Sequence, residues 1–144
     1  SSNMAHSLIL GSAHYGCEIV IATPPELLPA ADVLTIAARL GGKVSITQDA
    51  KAAAKDADVL YTDVWVSMGE EAQAYEKKKL LAPYQLNESL LAQAKKSVIV
   101  LHCLPAHKDE EITESVFESP NAKIFDQAEN RLHAQKAVLE FLLK

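Results

Sequence analysis

What this sequence has little of narrows its class before any motif is read. It has only two cysteines, Cys17 and Cys103, too far apart for a zinc or redox spacing. Free thiols in a cytoplasmic protein are the resulting expectation. It has no run of apolar residues long enough to span a bilayer. No charged-then-apolar leader opens it, and no repeat or low-complexity tract interrupts it. Nor does it carry charge of one sign in bulk: the net charge is −5 and the basic residues are scattered. That removes the electrostatic footprint of a nucleic-acid binder. What remains is 144 residues, 49% apolar and 23% charged, the makeup of one soluble globular domain.

Apolar spacing then divides the chain into alternating elements. Met4, Leu8, Ile9, Leu10 and Ala13 keep helical spacing until Gly16. "CEIVIA" (17–22), "KVSIT" (43–47), "DVLYT" (58–62), "SVIVLHC" (97–103) and "AKIFD" (122–126) read as strands. Between them, "TPPELLP" launches a helix ending at Gly41-Gly42, with Pro29 suited to its first turn. Asp49, Asn87 and Thr113 are N-cap candidates for three further helices. Residues 70–81 form a charged helix, and "QAENRLHAQKAVLEFLLK" closes the chain as another. Continuous apolar strands alternating with helices predict an α/β doubly wound, mainly parallel sheet with helices on both faces, a Rossmann-like architecture. Ligands of such sheets sit outside the carboxyl ends of the strands.

That rule selects a few loops. After residues 58–62 come Asp63, Trp65, Ser67, Met68 and Gly69. Asp63 could pair with an ammonium group or serve its own backbone, and Ser67 could bond a carboxylate. At the end of "VIVLHC", Cys103 is either an inert buried thiol or a group tuned by a charged neighbour. His102 points to the opposite face of the strand. His107 and Lys108 read as solvated loop residues, and His6, His14 and His133 as structural or surface groups. Arg131, near the expected start of the last helix, either pairs with Asp126 or Glu129 or waits for a carbonyl or anionic ligand. Taken together, Asp63, Ser67, Met68, Cys103, Leu104 and Arg131 would describe a pocket for a small zwitterion.

The runs "TDVWVSMG", "LHCLPAH" and "DQAENRLHAQKAVL" closely resemble the ornithine carbamoyltransferase family, specifically its carboxy-terminal ornithine-binding domain. "NMAHSLILGSAHYG" is similar to the helix that follows the family's Gly-Asp-Gly-Asn-Asn turn, and the likeness runs through residues 1–144. The Ser-Met-Gly loop distinguishes ornithine enzymes from their aspartate and putrescine relatives. The resemblance implies transfer of a carbamoyl group from carbamoyl phosphate to the δ-amine of L-ornithine, giving citrulline and phosphate, with no metal or organic cofactor. It implies that Asp63 binds the α-amine, that Ser67 and the Met68 backbone hold the α-carboxylate, and that Asn3 assists. Cys103 with Asp63 would steer the δ-amine, and the Leu104 carbonyl would contact it. Arg131 would hold the carbamoyl oxygen, where negative charge grows.

The family's Ser-Thr-Arg-Thr-Arg and His-Pro-x-Gln motifs, which hold the phosphate and complete the carbamoyl site, do not occur in these residues. The resemblance therefore implies a homotrimeric parent enzyme, and a chain inactive by itself. A non-catalytic amino-acid-binding or interaction module is the alternative. It further implies that the domain's first strand is missing from between residues 17–22 and 58–62. "SSNM" at the start reads either as a remnant ahead of Met4 or as the interior of a longer protein.

Overall fold

The computed structural model describes residues 2–66 and 74–144. Helix α1 (Asn3–Tyr15) starts where the Ser2 hydroxyl accepts the Met4 N–H, and ends at Gly16, whose φ of 69° suits a residue without a Cβ. Strand β1 (Glu18–Ala22) leads through a 3₁₀ turn (Pro25–Leu27) to α2 (Ala31–Arg39) and β2 (Lys43–Thr47). Pro29 thus precedes the helix instead of entering its first turn, because Ala30 is the cap. Strand β2 pairs in parallel with β1, Ile21 opposite Ile46. Gly42 lets this unit close: a Cβ there would lie 2.7 Å from Ala13 Cβ. Ile9, Ala13 and Ala37 are buried between the helices and the strand pair, with Ile19, Ile21 and Val44 packed against them.

Asp49 caps α3 (Ala50–Ala54) by accepting from the N–H groups of Lys51 and Ala52. Strand β3 (Val59–Thr62) follows, then α4 (Ala74–Leu81) and α5 (Glu88–Leu91), the latter capped by Asn87. Strand β4 (Ile99–His102) pairs in parallel with β3, Thr62 opposite His102. Thr113 caps α6 (Glu114–Phe117), and α7 (Ile124–Leu143) ends the chain. Here a second core gathers Leu86, Leu90, Val100, Ile112, Val116 and Ile124. Helix α3 joins the halves, packing on β1 and β2 as well as on α5.

Two expectations need adjusting. The α/β alternation and parallel pairing are as read, but among the described residues the strands form two separate pairs, β1–β2 and β3–β4. No ladder hydrogen bonds join the two pairs among the described residues. The fifth strand, 122–126, does not form: Ala122 makes a single bridge to Val100, and Ile124 already begins α7. The reason lies in the backbone donors and acceptors of β4. Val100 N–H goes to the Asn121 carbonyl, and Lys123 N–H returns to the Val100 carbonyl. The next donor, His102 N–H, is taken by the side chain of Gln127 at 3.1 Å, so no further strand residue is needed. Phe125 meets Phe117 edge-on with ring centroids 5.8 Å apart, fixing the root of α7.

Beyond that root α7 stands largely in solvent. Leu132, Val138, Leu139, Phe141, Leu142 and Leu143 are all more than half exposed. No helix among the described residues is long and apolar enough to cross a membrane.

Candidate functional site

Strands β3 and β4 run parallel and end side by side, so the residues after Thr62 and His102 share one rim. The alternation along β4 buries Val100 and His102 on one face and sends Cys103 to the other, as the period of two requires. There Cys103 Sγ donates to Asp63 Oδ1 at 2.9 Å. Asp63 also accepts from Val64 N–H at 2.8 Å, so it serves both its own backbone and the thiol. Its other oxygen, Oδ2, accepts from Ser2 Oγ at 2.7 Å, which ties the start of α1 to the same rim.

A chain of donors runs into this carboxylate. Gln127 Nε2 donates to Tyr61 Oη at 3.0 Å, and Tyr61 acts on the neighbouring Cys103 thiol, which donates to Asp63. Burial, reinforced by the hydrogen bond and the negative charge of Asp63, pushes the Cys103 thiol up to about 11. Burial likewise pushes the Tyr61 phenol up to about 12. Both groups hold their protons at neutral pH, so Cys103 acts here as a donor and not as a thiolate nucleophile.

The crevice edge has an unusual backbone. Leu104 has a φ of 57°, rare for a residue with a branched side chain, and the Leu104–Pro105 peptide bond is cis. Leu104 N–H donates to His102 Nδ1 at 2.8 Å, which holds the turn. His102 Nδ1 is therefore unprotonated, and Nε2 carries the hydrogen that Glu111 Oε1 accepts at 3.0 Å. Cys103, Leu104 and Pro105 form one wall of an open cleft of about 540 Å³, and Ala128, Arg131, Leu132 and Gln135 of α7 form the other. The size suits a small organic ligand.

Of the residues selected from sequence, Cys103, Leu104 and Arg131 line this cleft, and Asp63 adjoins it through Cys103. Asn3 is exposed at the first position of α1, beside Ser2. Ser67 and Met68 lie outside the described residues, as does Gly69. Arg131 sits two turns into α7 because the helix begins earlier than expected, so no unfavourable helix-end charge needs explaining. Among the described residues it pairs with neither Asp126 nor Glu129; the latter bonds His133. Four contributors were not singled out from sequence: Ser2, Tyr61, Gln127 and Glu111. Tyr61 and Gln127 were within reach, since Tyr61 is two residues from Asp63 on a strand and Gln127 is the second residue of the "DQAENR" run.

A crevice at the carboxyl ends of parallel strands, rimmed by an acid, a protonated thiol and an arginine, is the place where α/β proteins of this architecture take their ligands. The chain's family can be given more closely. Residues 1–142 match the family described as aspartate/ornithine carbamoyltransferase, Asp/Orn binding domain, and the chain belongs to it. An ornithine carbamoyltransferase of Thermosynechococcus vestitus is 53% identical over 145 residues, covering 99% of this chain and 47% of that protein. The solved ornithine carbamoyltransferase of Pyrococcus furiosus is 49% identical with a TM-score of 0.87, over 94% of this chain and 44% of that one. The anabolic enzyme of Campylobacter jejuni gives 39% and a TM-score of 0.92, over 97% and 48%. The chain spans about half the length of the curated relatives it matches.

Proposed function

We propose that this chain is the ornithine-binding half of an ornithine carbamoyltransferase, with the Asp63–Cys103 pair facing the substrate's amines. The observation that carries this reading is the 2.9 Å contact between that thiol and carboxylate at the mouth of the cleft that Arg131 lines. In the reaction the δ-nitrogen of ornithine bonds to the carbonyl carbon of carbamoyl phosphate. The δ-ammonium first gives up one proton to become the nucleophile; the carbon–oxygen bond to phosphate then breaks, phosphate leaves, and the nitrogen loses its second proton, which the departing phosphate can take. Asp63 attracts the ammonium form, and the neutral Cys103 fills one lone pair of that carboxylate without adding charge. Leu104 presents backbone at the same rim, and its turn is held from behind by His102. Arg131 offers the carbonyl oxygen a donor fork as negative charge develops on it. Asn3, Ser67 and Met68 complete the amino-acid end in this reading.

Carbamoyl phosphate is held mainly by the other half of the relatives' length. The exposed apolar side chains of α7 are the surface that half would cover, since they have no partner among the described residues. The proposal extends to a cytoplasmic homotrimer as the working form, with free Cys17 and Cys103 fitting a reducing compartment. Calorimetric titration of the chain with L-ornithine and with L-aspartate tests the substrate assignment. Saturable heat with ornithine alone supports it; equal response to both, or to neither, contradicts it.

A further inference from the structure

Behind the crevice edge lies an acid whose hold on His102 uses only one of its two oxygens. Glu111 is fully buried, and both of its donors are neutral: His102 Nε2–H at 3.0 Å and His107 N–H at 2.7 Å, each on Oε1. Its second oxygen, Oε2, is buried with no hydrogen-bond partner among the described residues. A buried carboxylate with one oxygen left without a hydrogen bond is among the costlier arrangements a protein can hold. The bare oxygen faces a ring nitrogen, His107 Nδ1, at 4.0 Å. Glu110 brings a second carboxylate, so that one ligand atom from each of His107, Glu110 and Glu111 lies within 4.8 Å of the others. The 4.0 Å between His107 Nδ1 and Glu111 Oε2 is too long for a direct hydrogen bond and leaves room for an ion between them. Two ligand atoms about 2.1 Å from a tetrahedral zinc ion stand about 3.4 Å apart, so His107 Nδ1 and Glu111 Oε2 need to close only slightly.

We propose that His107, Glu110 and Glu111 form a binding site for a divalent transition-metal ion of the zinc class. Two carboxylates and one imidazole neutralise the ion's charge and leave a fourth position for water. His107 is more than half exposed and gives the ion its way in, while Glu111 supplies the buried, preformed end. Lys78 competes for the site, since its Nζ lies 2.5 Å from Glu110 Oε1. The ion would bear on the crevice indirectly, because Glu111 holds His102 and His102 holds the Leu104 turn. The site stands on these side chains alone and does not depend on which substrate the cleft takes.

The test is zinc titration of the chelator-treated chain by calorimetry, run in a Cys103→Ser background so that the thiol cannot take the ion. One equivalent of Zn²⁺ is expected to bind. His107→Ala and Glu110→Gln, both at accessible positions, should each weaken it by about tenfold or more. Lys78→Met should strengthen it, because it frees Glu110. No saturable zinc uptake in the Cys103→Ser chain overturns the proposal, and so does a loss under about fivefold in both ligand variants, given that ligand removal ordinarily costs more.

Discussion

Cys103 Sγ stands 2.9 Å from Asp63 Oδ1 across 40 residues of sequence, joining the ends of two adjacent parallel strands. The pair determines the chemistry available at the rim. A carboxylate beside a thiol keeps that thiol protonated, and the thiol in turn orients the carboxylate.

Thiol reactivity reports this coupling directly. Asp63→Asn removes the negative charge but leaves the burial that is the larger cause of the raised value near 11. Alkylation of Cys103 at pH 8, followed by peptide mapping to separate it from Cys17, should accelerate by about tenfold, the factor one pKa unit gives in thiolate fraction. An unchanged rate would mean that the contact does not tune the thiol.

The same shift has a consequence for stability. Folding raises the Cys103 value from 9.0 to about 11, so its contribution is fully present below pH 9 and is lost as the pH rises towards 11. Urea midpoints compared between the chain and Cys103→Ser should show the excess loss confined to that interval. Tyr61, raised to about 12, acts in the same direction at still higher pH. Parallel curves for the two proteins would contradict the assignment.

His102→Ala should be among the most damaging single changes. It strips a fully buried carboxylate of a donor and releases the Leu104 turn, whose N–H bonds His102 Nδ1. A loss of about 3 kcal/mol is expected for a buried hydrogen bond to a charged group. Chemical denaturation measures it, and a loss below about 1 kcal/mol would show that Glu111 finds other partners.

Two glycines should respond with opposite signs. A Cβ at Gly42 meets Ala13 Cβ at 2.7 Å and the Ala37 carbonyl at 3.0 Å, so Gly42→Ala should destabilise. A loss of about 1–3 kcal/mol is the usual effect of overpacking. Gly11 lies within α1 and a Cβ there meets nothing within 4 Å. Gly11→Ala should therefore stabilise by about 1 kcal/mol through helix propensity. Thermal melts of the two variants distinguish these cases.

Much of this arrangement was legible in the sequence because its signals are local. Gly16 after α1, the caps Asp49, Asn87 and Thr113, and the apolar run into His102 each determine an element from a few adjacent residues. The period of two along β4 also separated His102 from Cys103. The start of α7 was not legible, since Ile124 and Phe125 carry strand-like side chains while Gln127, three residues further on, satisfies β4 from a helix. Glu111 escaped notice for a similar reason. A glutamate in a polar loop looks solvated, and its burial follows only from the path of residues 103–111 beneath His102. Ser2 fell in a segment that read equally well as a remnant, yet it bonds Asp63 across 61 residues.

In the proposed function this chain supplies the ornithine half of a carbamoyl-transfer site organised by Asp63 and Cys103. Citrulline formation measures it most directly. The chain is assayed with L-ornithine and carbamoyl phosphate, alone and after mixing with the carbamoyl phosphate-binding half of a related enzyme. No citrulline is expected from the chain alone, turnover is expected on mixing, and Asp63→Asn should abolish that turnover. Turnover by the chain alone would contradict the proposed function, as would an associated mixture that binds ornithine and forms no citrulline.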